Sequence, residues 1–495
     1  MHEIKRGILR RRAAIVALAV VAFPTLAQVA VLYAQRGSSS SIYGGSGPGW
    51  WTAGLNAVLP RQDDYTDTTG QVRLVIPDGS IRAKGHPFFE ALGSNGRACI
   101  TCHQPSNAMS VAAEGLRLRW SETEGKDAIF AAVDGSNCPD LPQDEMGSHS
   151  LLLNRGLFRI VLPWPPQNAD GSAVTPEFRI EVVSDPTGCN TSATYGLNSK
   201  QHPAVSVFRR PRVTANLLRS VLAGSEGLAL MADGRETTLR GQAISAARAH
   251  EGADAPTEQQ LLQIVELETQ LFVAQGSDIR AGLLNEQNGP LVLGPENIAD
   301  GLVSRPGPGN KPANTVWASF DGWRMKPGER ELGDLQLEFR ESVARGSDVF
   351  FGYKFRITEA SDGTRKISGE VTCSACHSTQ APRWMDIGTS NVVAGKQSPD
   401  LPLFRITCDT PATPPQYRGR VIYTQDPGRA LISGKCADTG SFVMQQFHGL
   451  AARAPYFVNG SAATLGDVVD FYESRFHVGL TPDERADLLN FLRVL

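Results

Sequence analysis

Apolar positions recur at helical spacing in several stretches of this 495-residue chain. From Thr238 to Gln275, Ile244, Ala247, Leu261, Leu262, Ile264, Val265 and Leu267 follow a period near 3.6, which predicts helices. The same pattern predicts a helix from Leu335 to Phe350 and a closing helical pair at Leu465 to Phe476 and Pro482 to Leu495. Between Gly115 and Val183 the pattern changes to alternation (Leu116, Leu118, Trp120; Leu157, Arg159, Val161; Phe178, Ile180, Val182), interrupted by Pro, Gly, Asn and Asp clusters, and predicts strands. From Gly276 to Arg330 the chain is rich in Gly, Pro and Asn, including Arg305-Pro306-Gly307-Pro308-Gly309, the composition of a connection.

At the N-terminus, Lys5, Arg6, Arg10, Arg11 and Arg12 precede a mainly apolar run from Ala13 to Ala34, which has the form of an export signal. The run also has the length of a membrane anchor, and Ala27, Ala30 and Ala34 each suit a cleavage site, so a cleaved signal and a retained anchor both fit. The Ser- and Gly-rich stretch that follows, ending in Trp50-Trp51, reads as the start of a flexible tether.

Composition narrows the partners. A net charge of −3 supplies no basic field, which discards nucleic acid as a partner and leaves membrane contact to the N-terminal segment. An exported chain meets an oxidising compartment, where the periplasm is the expected location.

The cysteines carry the strongest chemical signal. Cys99-Ile100-Thr101-Cys102-His103 and Cys373-Ser374-Ala375-Cys376-His377 are two Cys-x-x-Cys-His pentads. With 8 Cys and 9 His in 495 residues, composition alone supplies about 0.002 such pentads. The pattern is that of covalent haem c attachment: two thiols on one local turn reach the two porphyrin vinyls, and the adjoining imidazole points at the iron. The pentads therefore predict two haem c groups, with thioethers at Cys99, Cys102, Cys373 and Cys376 and iron ligands at His103 and His377. A disulfide or a zinc site is the competing use of such cysteines. The other four cysteines are expected to pair as nearest neighbours, Cys138 with Cys189 and Cys408 with Cys436, against the alternative of buried free thiols.

The expected fold is mainly α, with two cytochrome c-type haem domains and a β-rich insertion in the N-terminal half. Its expected boundaries are a signal or anchor over 1–36, a tether over 37–79, an N-terminal haem domain over 80–275 with the insertion at about 111–204, a linker over 276–330 and a C-terminal haem domain over 331–495.

With the pentads placed, the chain resembles the di-haem cytochrome c peroxidase superfamily, which includes the MauG-type enzymes. The resemblance covers most of 80–110 and 205–495. It rests chiefly on the segment from Gly449 to Leu465 (Gly-Leu-Ala-Ala-Arg-Ala-Pro-Tyr-Phe-Val-Asn-Gly-Ser-Ala-Ala-Thr-Leu), with support from Ser342-Val343-Ala344-Arg345-Gly346, Asp233-Gly234-Arg235 and Gln242-Ala243. Residues 111–204 fall outside it. The resemblance implies a sixth ligand for the second haem at Tyr472, where other members have Met; Met444, His448 and His477 are the competing ligands. A phenolate lowers a haem's potential, whereas a thioether raises it. It also implies a peroxide pocket at the first haem with Gln242. The family's acid-base Glu, ten residues on, is replaced by Gly252, so His250, just before Glu251, is the candidate proton shuttle or, alternatively, an iron ligand.

The Trp that the family commonly places between its haems is replaced by Ala232, with Trp120, Trp164 and Trp384 as substitute rings. A calcium ion held near Asn216 and Ala454-Pro455 is a further implication of the resemblance. The expected activity is reduction of hydrogen peroxide at the first haem. Its electrons come from a small redox protein, a cytochrome or cupredoxin, or from a protein substrate oxidised in MauG fashion. The alternative is a di-haem electron-transfer cytochrome with both irons six-coordinate.

Overall fold

The computed structural model describes residues 49–168, 171–218, 229–286, 289–304, 320–326, 328–329, 334–361, 366–377, 384–387, 397–443 and 445–495. The segment expected as an export signal or anchor, the expected tether up to residue 48 and Met444 lie outside these, as do the side chains of Cys376 and Trp384. No helix among the described residues is long and apolar enough to cross a membrane.

The region expected as tether is sheet from Val58 onward. Gln62–Thr66 and Gly70–Val75 form a hairpin that continues through Phe272–Asp278 to Gly282–Leu283 in one antiparallel sheet. The burial of Tyr65, Val72 and Leu74 decides the matter, because apolar side chains on one face of a pleated strand need a partner layer. That layer is helix Glu258–Gln270, whose Leu261, Ile264 and Leu267 pack in one core with Leu74, Val273 and Ile100 of the first pentad. Thr257 and Gln260 start this helix as a capping box, each side chain accepting from the other's backbone N–H. Its predicted extension to Gln275 ends earlier, since Phe272–Asp278 joins the sheet.

The 115–183 stretch also departs from expectation at its start. Ala113–Thr123 is a helix in which Leu116 and Trp120, four residues apart, share the buried face while Leu118 is exposed. Three alternating apolar residues fit both periods, and the longer spacing wins because Trp120 docks edge-on against Phe130. Beyond it helix Ser150–Arg155 is followed by strands Phe158–Pro163, Arg179–Ser184 and Ala204–Arg209, and this β unit is not self-contained. Arg179–Ser184 pairs with Leu403–Thr407, which pairs in turn with Val421–Thr424, so the β unit draws on both halves of the chain. Its core joins Phe178 to Ile406 and Ile422, and Val205 and Val207 to Phe404. Disulfides Cys138–Cys189 and Cys408–Cys436, with Cα atoms 5.2 and 6.1 Å apart, tie down both contributions as expected.

The stretch expected as linker contains a helix, Pro295–Ser304, and buried anchors at Leu293 and Trp323. Helix Leu335–Gly352 then lies against the terminal helix Pro482–Arg493, burying Phe339, Val343 and Phe350 with Leu488, Phe491 and Leu492. The two cross so closely at Gly346 that a Cβ there would stand 2.0 Å from the Asp487 carbonyl oxygen. Asp487 also accepts from Ser342 and Arg345, which fixes the crossing point. Residues Ser41–Leu495 pack as one unit.

Candidate functional site

Each pentad folds as a single helical turn, Cys99–Cys102 and Cys373–Cys376, closed by a hydrogen bond from the histidine N–H to the first cysteine's carbonyl. The turn puts both cysteines and the histidine of each pentad on one short arc of chain. Cys99 and Cys102 form no disulfide with each other, unlike the other two pairs. Burial beside the carboxylates of Glu251 and Glu268 pushes the Cys99 thiol up, and burial raises Cys102 to about 12.

His103 commits Nδ1 to the Met109 carbonyl at 3.0 Å, leaving Nε2 as the ring's coordinating atom. Burial lowers its pKa to about 4, so the ring is neutral at pH 7. The pentad is fastened from behind by Arg97, which donates to the Ala128 and Ile129 carbonyls and forms a buried ion pair with Asp134.

His103 and Cys102 line a cavity with about 1700 Å³ of empty space, and Gln242, His250 and Glu268 line it too. Gln242 comes from helix Leu239–Ala246, and its buried Oε1 has no hydrogen-bond partner. Helix Leu239–Ala246 continues into a π-helical turn, Ala247–Glu251, and that turn carries His250. Gly252 ends it at φ +64°, a conformation that disfavours a side chain, which accounts for the missing carboxylate at this position. Three acidic groups stand here, of which the sequence reading noted Glu251 without a role and missed Asp134 and Glu268. Asp134 accepts from His250 Nδ1 at 2.6 Å, orienting the ring with Nε2 as its other functional atom. Glu251 turns away, its Oε1 3.5 Å from Cys99 Sγ, and burial lifts its pKa to about 6. Glu268 is fully buried on helix Glu258–Gln270 with Oε2 unpartnered, and burial lifts its pKa to about 8. Asp134 lies in the stretch outside the family resemblance, and no spacing rule connects it to His250. Glu268 had a signal, as a carboxylate on the apolar stripe of a predicted helix.

A second cavity, with about 1810 Å³ of empty space, is lined by Cys373, His377 and Tyr472. Tyr472, on helix Leu465–Phe476, places its hydroxyl 3.1 Å from His377 Nε2, among Phe457, Phe471 and Phe476. Burial holds His377 neutral, at about 4, and its Nδ1 is buried without a hydrogen-bond partner. Of the competing ligands, His448 lines the first cavity and His477 is exposed at the helix end.

The cavities adjoin, since Arg210, Pro211, His377, Gln445, Gln446 and Phe447 line both. Phe447 is the ring on this shared wall, 4.7 Å from the His377 ring, and Ala232 lines the first cavity. Trp120 packs with Phe130 and His149, and Trp164 with Phe178, and neither lines a cavity.

These features fit a porphyrin at each pentad. Each cavity has a neutral imidazole beside a pentad cysteine, His103 with Cys102 and His377 with Cys373, and unpartnered polar atoms on residues of its lining, Gln242 Oε1 and Glu268 Oε2 in the first and His377 Nδ1 in the second. At 3.1 Å the His377 Nε2 and the Tyr472 hydroxyl are within hydrogen-bond distance, and the two would have to part if both held one iron. At the residues implied for calcium, Asn216 Oδ1 accepts from Val273 N–H, and the Ala454 carbonyl accepts from Ala113 N–H. Among the described residues no group of three His, Cys, Asp or Glu side chains is arranged to hold a free metal ion.

No protein-family description and no curated protein matches the chain. Among solved structures, a crystal structure of "a MauG-like protein associated with microbial copper homeostasis" aligns over 59% of this chain and 76% of that one, at 16% identity and a TM-score of 0.26. A likeness that weak bears no argument about this chain's chemistry.

Proposed function

We propose that this chain is an exported, periplasmic di-haem c-type oxidoreductase that reduces hydrogen peroxide at the first pentad's site. The observation that carries this reading is the asymmetry of the two imidazoles. His377 Nε2 faces a phenol hydroxyl at 3.1 Å, whereas among the described residues no side chain bonds His103 Nε2. Haems held by His103 with Cys99 and Cys102, and by His377 with Cys373 and Cys376, would supply one-electron redox chemistry and, at the first site, peroxide reduction.

The chain's own residues supply the rest. Gln242 presents an unpartnered amide to the first cavity and orients a small polar ligand there. His250 holds or moves a proton at Nε2, its tautomer set by Asp134. Glu268 holds a further proton at neutral pH. Tyr472 with His377 closes the second site, suiting it to electron storage and entry. Ala232 stands where the family has a relay indole, so the shared wall with its Phe447 ring would separate two haems held here. The electron source is a small cytochrome or cupredoxin, or an oxidisable side chain of a protein substrate.

The electron-transfer reading draws on one observation: with Nδ1 on Asp134, His250 Nε2 is equally suited to ligate iron and close the first site. Peroxide turnover with a reduced cytochrome or cupredoxin separates the two. The enzyme reading predicts turnover that falls by roughly 10²-fold or more in Gln242→Leu and His250→Leu. No turnover with any donor, and spectra indifferent to peroxide in the oxidised and half-reduced protein, would establish the electron-transfer reading instead.

A further inference from the structure

The residues implied for calcium are bonded from within the chain. Asn216 commits both ends of its side-chain amide to protein partners: Oδ1 accepts from the Val273 N–H at 3.0 Å, and Nδ2 donates to the Val273 carbonyl and to Gln446 Oε1, each at 2.8 Å. Gln446 in turn donates through Nε2 to the Ala215 carbonyl at 2.7 Å, and its own carbonyl accepts from the Arg453 guanidinium. One amide and one guanidinium therefore link Asn216 to the segment from Gly449 to Leu465, the link that an ion would otherwise make.

Two main-chain oxygens of that segment are also engaged. The Ala454 carbonyl accepts from the Ala113 N–H at 3.3 Å, and the Arg453 carbonyl accepts from Arg210 at 2.8 Å. Arg210 is buried, and its guanidinium donates as well to the Arg155 and Val111 carbonyls, at 2.8 and 2.6 Å. It thus gathers three carbonyls, from helix Ser150–Arg155, from the stretch after the first pentad and from the segment at Arg453, much as a bound cation gathers oxygens. Gly156 makes room for it, since a Cβ there would stand 2.6 Å from Arg210 Nη1. Burial and the neighbouring Arg453 lower Arg210 to about 9, which leaves it charged at neutral pH. A calcium site collects oxygens whose negative charge offsets the ion. Here Arg210 and Arg453 bring two fixed positive charges instead, and their repulsion disfavours a divalent cation.

We propose that Arg210, Arg453 and Gln446 replace the calcium ion that the family resemblance implies, so that the chain carries this structural cation in its own sequence and binds no calcium between Asn216 and Ala454. The proposal goes beyond the peroxide reading and does not rest on it, because every contact it uses lies within the chain. Its consequence is a protein whose folding does not follow the calcium content of its surroundings.

The test is urea unfolding of the full-length holoprotein in calcium and in excess chelator, with calcium counted by elemental analysis after gel filtration. In about 1 mM calcium, even a site with a dissociation constant of roughly 10⁻⁴ M is about nine-tenths filled. The wild-type midpoint is expected to be the same in both media, with no calcium retained. Stoichiometric calcium on the chain, or a midpoint that falls in chelator, overturns the proposal. Arg210→Gln removes the charge and is expected to lower the midpoint by roughly 0.5–1 M, whereas Arg210→Lys keeps a cation within reach of the carbonyls and should recover most of that loss. Equal losses in the two variants overturn the part assigned to the charge. If Arg210→Gln does not accumulate, Arg453→Gln against Arg453→Lys gives the same comparison. Haem content and peroxide response of the same samples report separately on the di-haem reading, whose failure would leave these outcomes unchanged.

Discussion

Glu268→Gln isolates one buried proton. Glu268 is buried on the wall of the first cavity, its Oε2 has no partner, and burial lifts its pKa from 4.5 to about 8. The displacement of about 3.5 units, at 1.36 kcal/mol each, is worth about 5 kcal/mol, an upper bound because a relaxing cavity admits water. Its sign follows from the direction. A group whose folded pKa is raised binds its proton more tightly in the folded state, so its contribution is complete below 4.5 and is lost as pH rises through 8.

Glutamine has nearly the same shape and no proton to lose. The variant and wild type should therefore unfold alike near pH 4.5, with the variant gaining steadily until it is more stable by up to about 5 kcal/mol above pH 8. Guanidinium unfolding of the holoprotein at four or five pH values, followed by far-ultraviolet circular dichroism, measures the difference directly. An infrared carbonyl band of a protonated carboxyl, present at pH 7 and missing in the variant, identifies the group. A stability difference that stays flat from pH 4.5 to 9 would refute the reasoning.

Further perturbations address the geometry around the two pentads. Tyr472→Phe removes the hydroxyl facing His377 and should change the low-spin spectrum of the second haem; an unchanged spectrum would exclude the phenol as its ligand. Asp134→Asn leaves Arg97 buried without its counter-ion and should cost about 3–5 kcal/mol by denaturant titration. The same substitution frees the His250 tautomer, so the pH profile of peroxide consumption should move, and an unmoved profile would remove Asp134 from the chemistry. Replacing Cys408 and Cys436 together by Ala opens a loop spanning 28 positions and should lower stability by about 4 kcal/mol; a loss under 1 kcal/mol would show that the β unit is held by packing alone.

The residues that chemistry requires at fixed local spacing were legible before any coordinates. The pentads, the helices around Gln242 and Tyr472 and the cysteine pairing are of this kind, because a turn, a helical period or a short oxidised loop is written in neighbouring residues. What escaped was non-local. The strand Arg179–Ser184 finds its partner at Leu403–Thr407, 224 positions on in the pairing of Glu181 with Arg405, and no alternation of either segment announces the other. The hairpin at 62–75 was hidden by its setting between a Gly- and Ser-rich stretch and the first pentad, although Val72, Leu74 and Val75 supply its core side chains. Asp134 shows the same limit within the site, because it meets His250 only after the insertion has folded against the first pentad. Tyr472 was placed by alignment to a motif, and the structure puts its hydroxyl opposite His377 on a helix whose cap residues, Thr464 and Asp467, are readable in the sequence.

The central claim is that one chain holds two covalent haems with unequal axial closure. Low-temperature electron paramagnetic resonance of the purified ferric protein, recorded before and after peroxide, addresses it most directly. The account predicts a high-spin signal from the first haem that peroxide alters within the dead time of mixing, beside a low-spin signal from the second. Two low-spin haems that ignore peroxide in both the oxidised and half-reduced protein would contradict it.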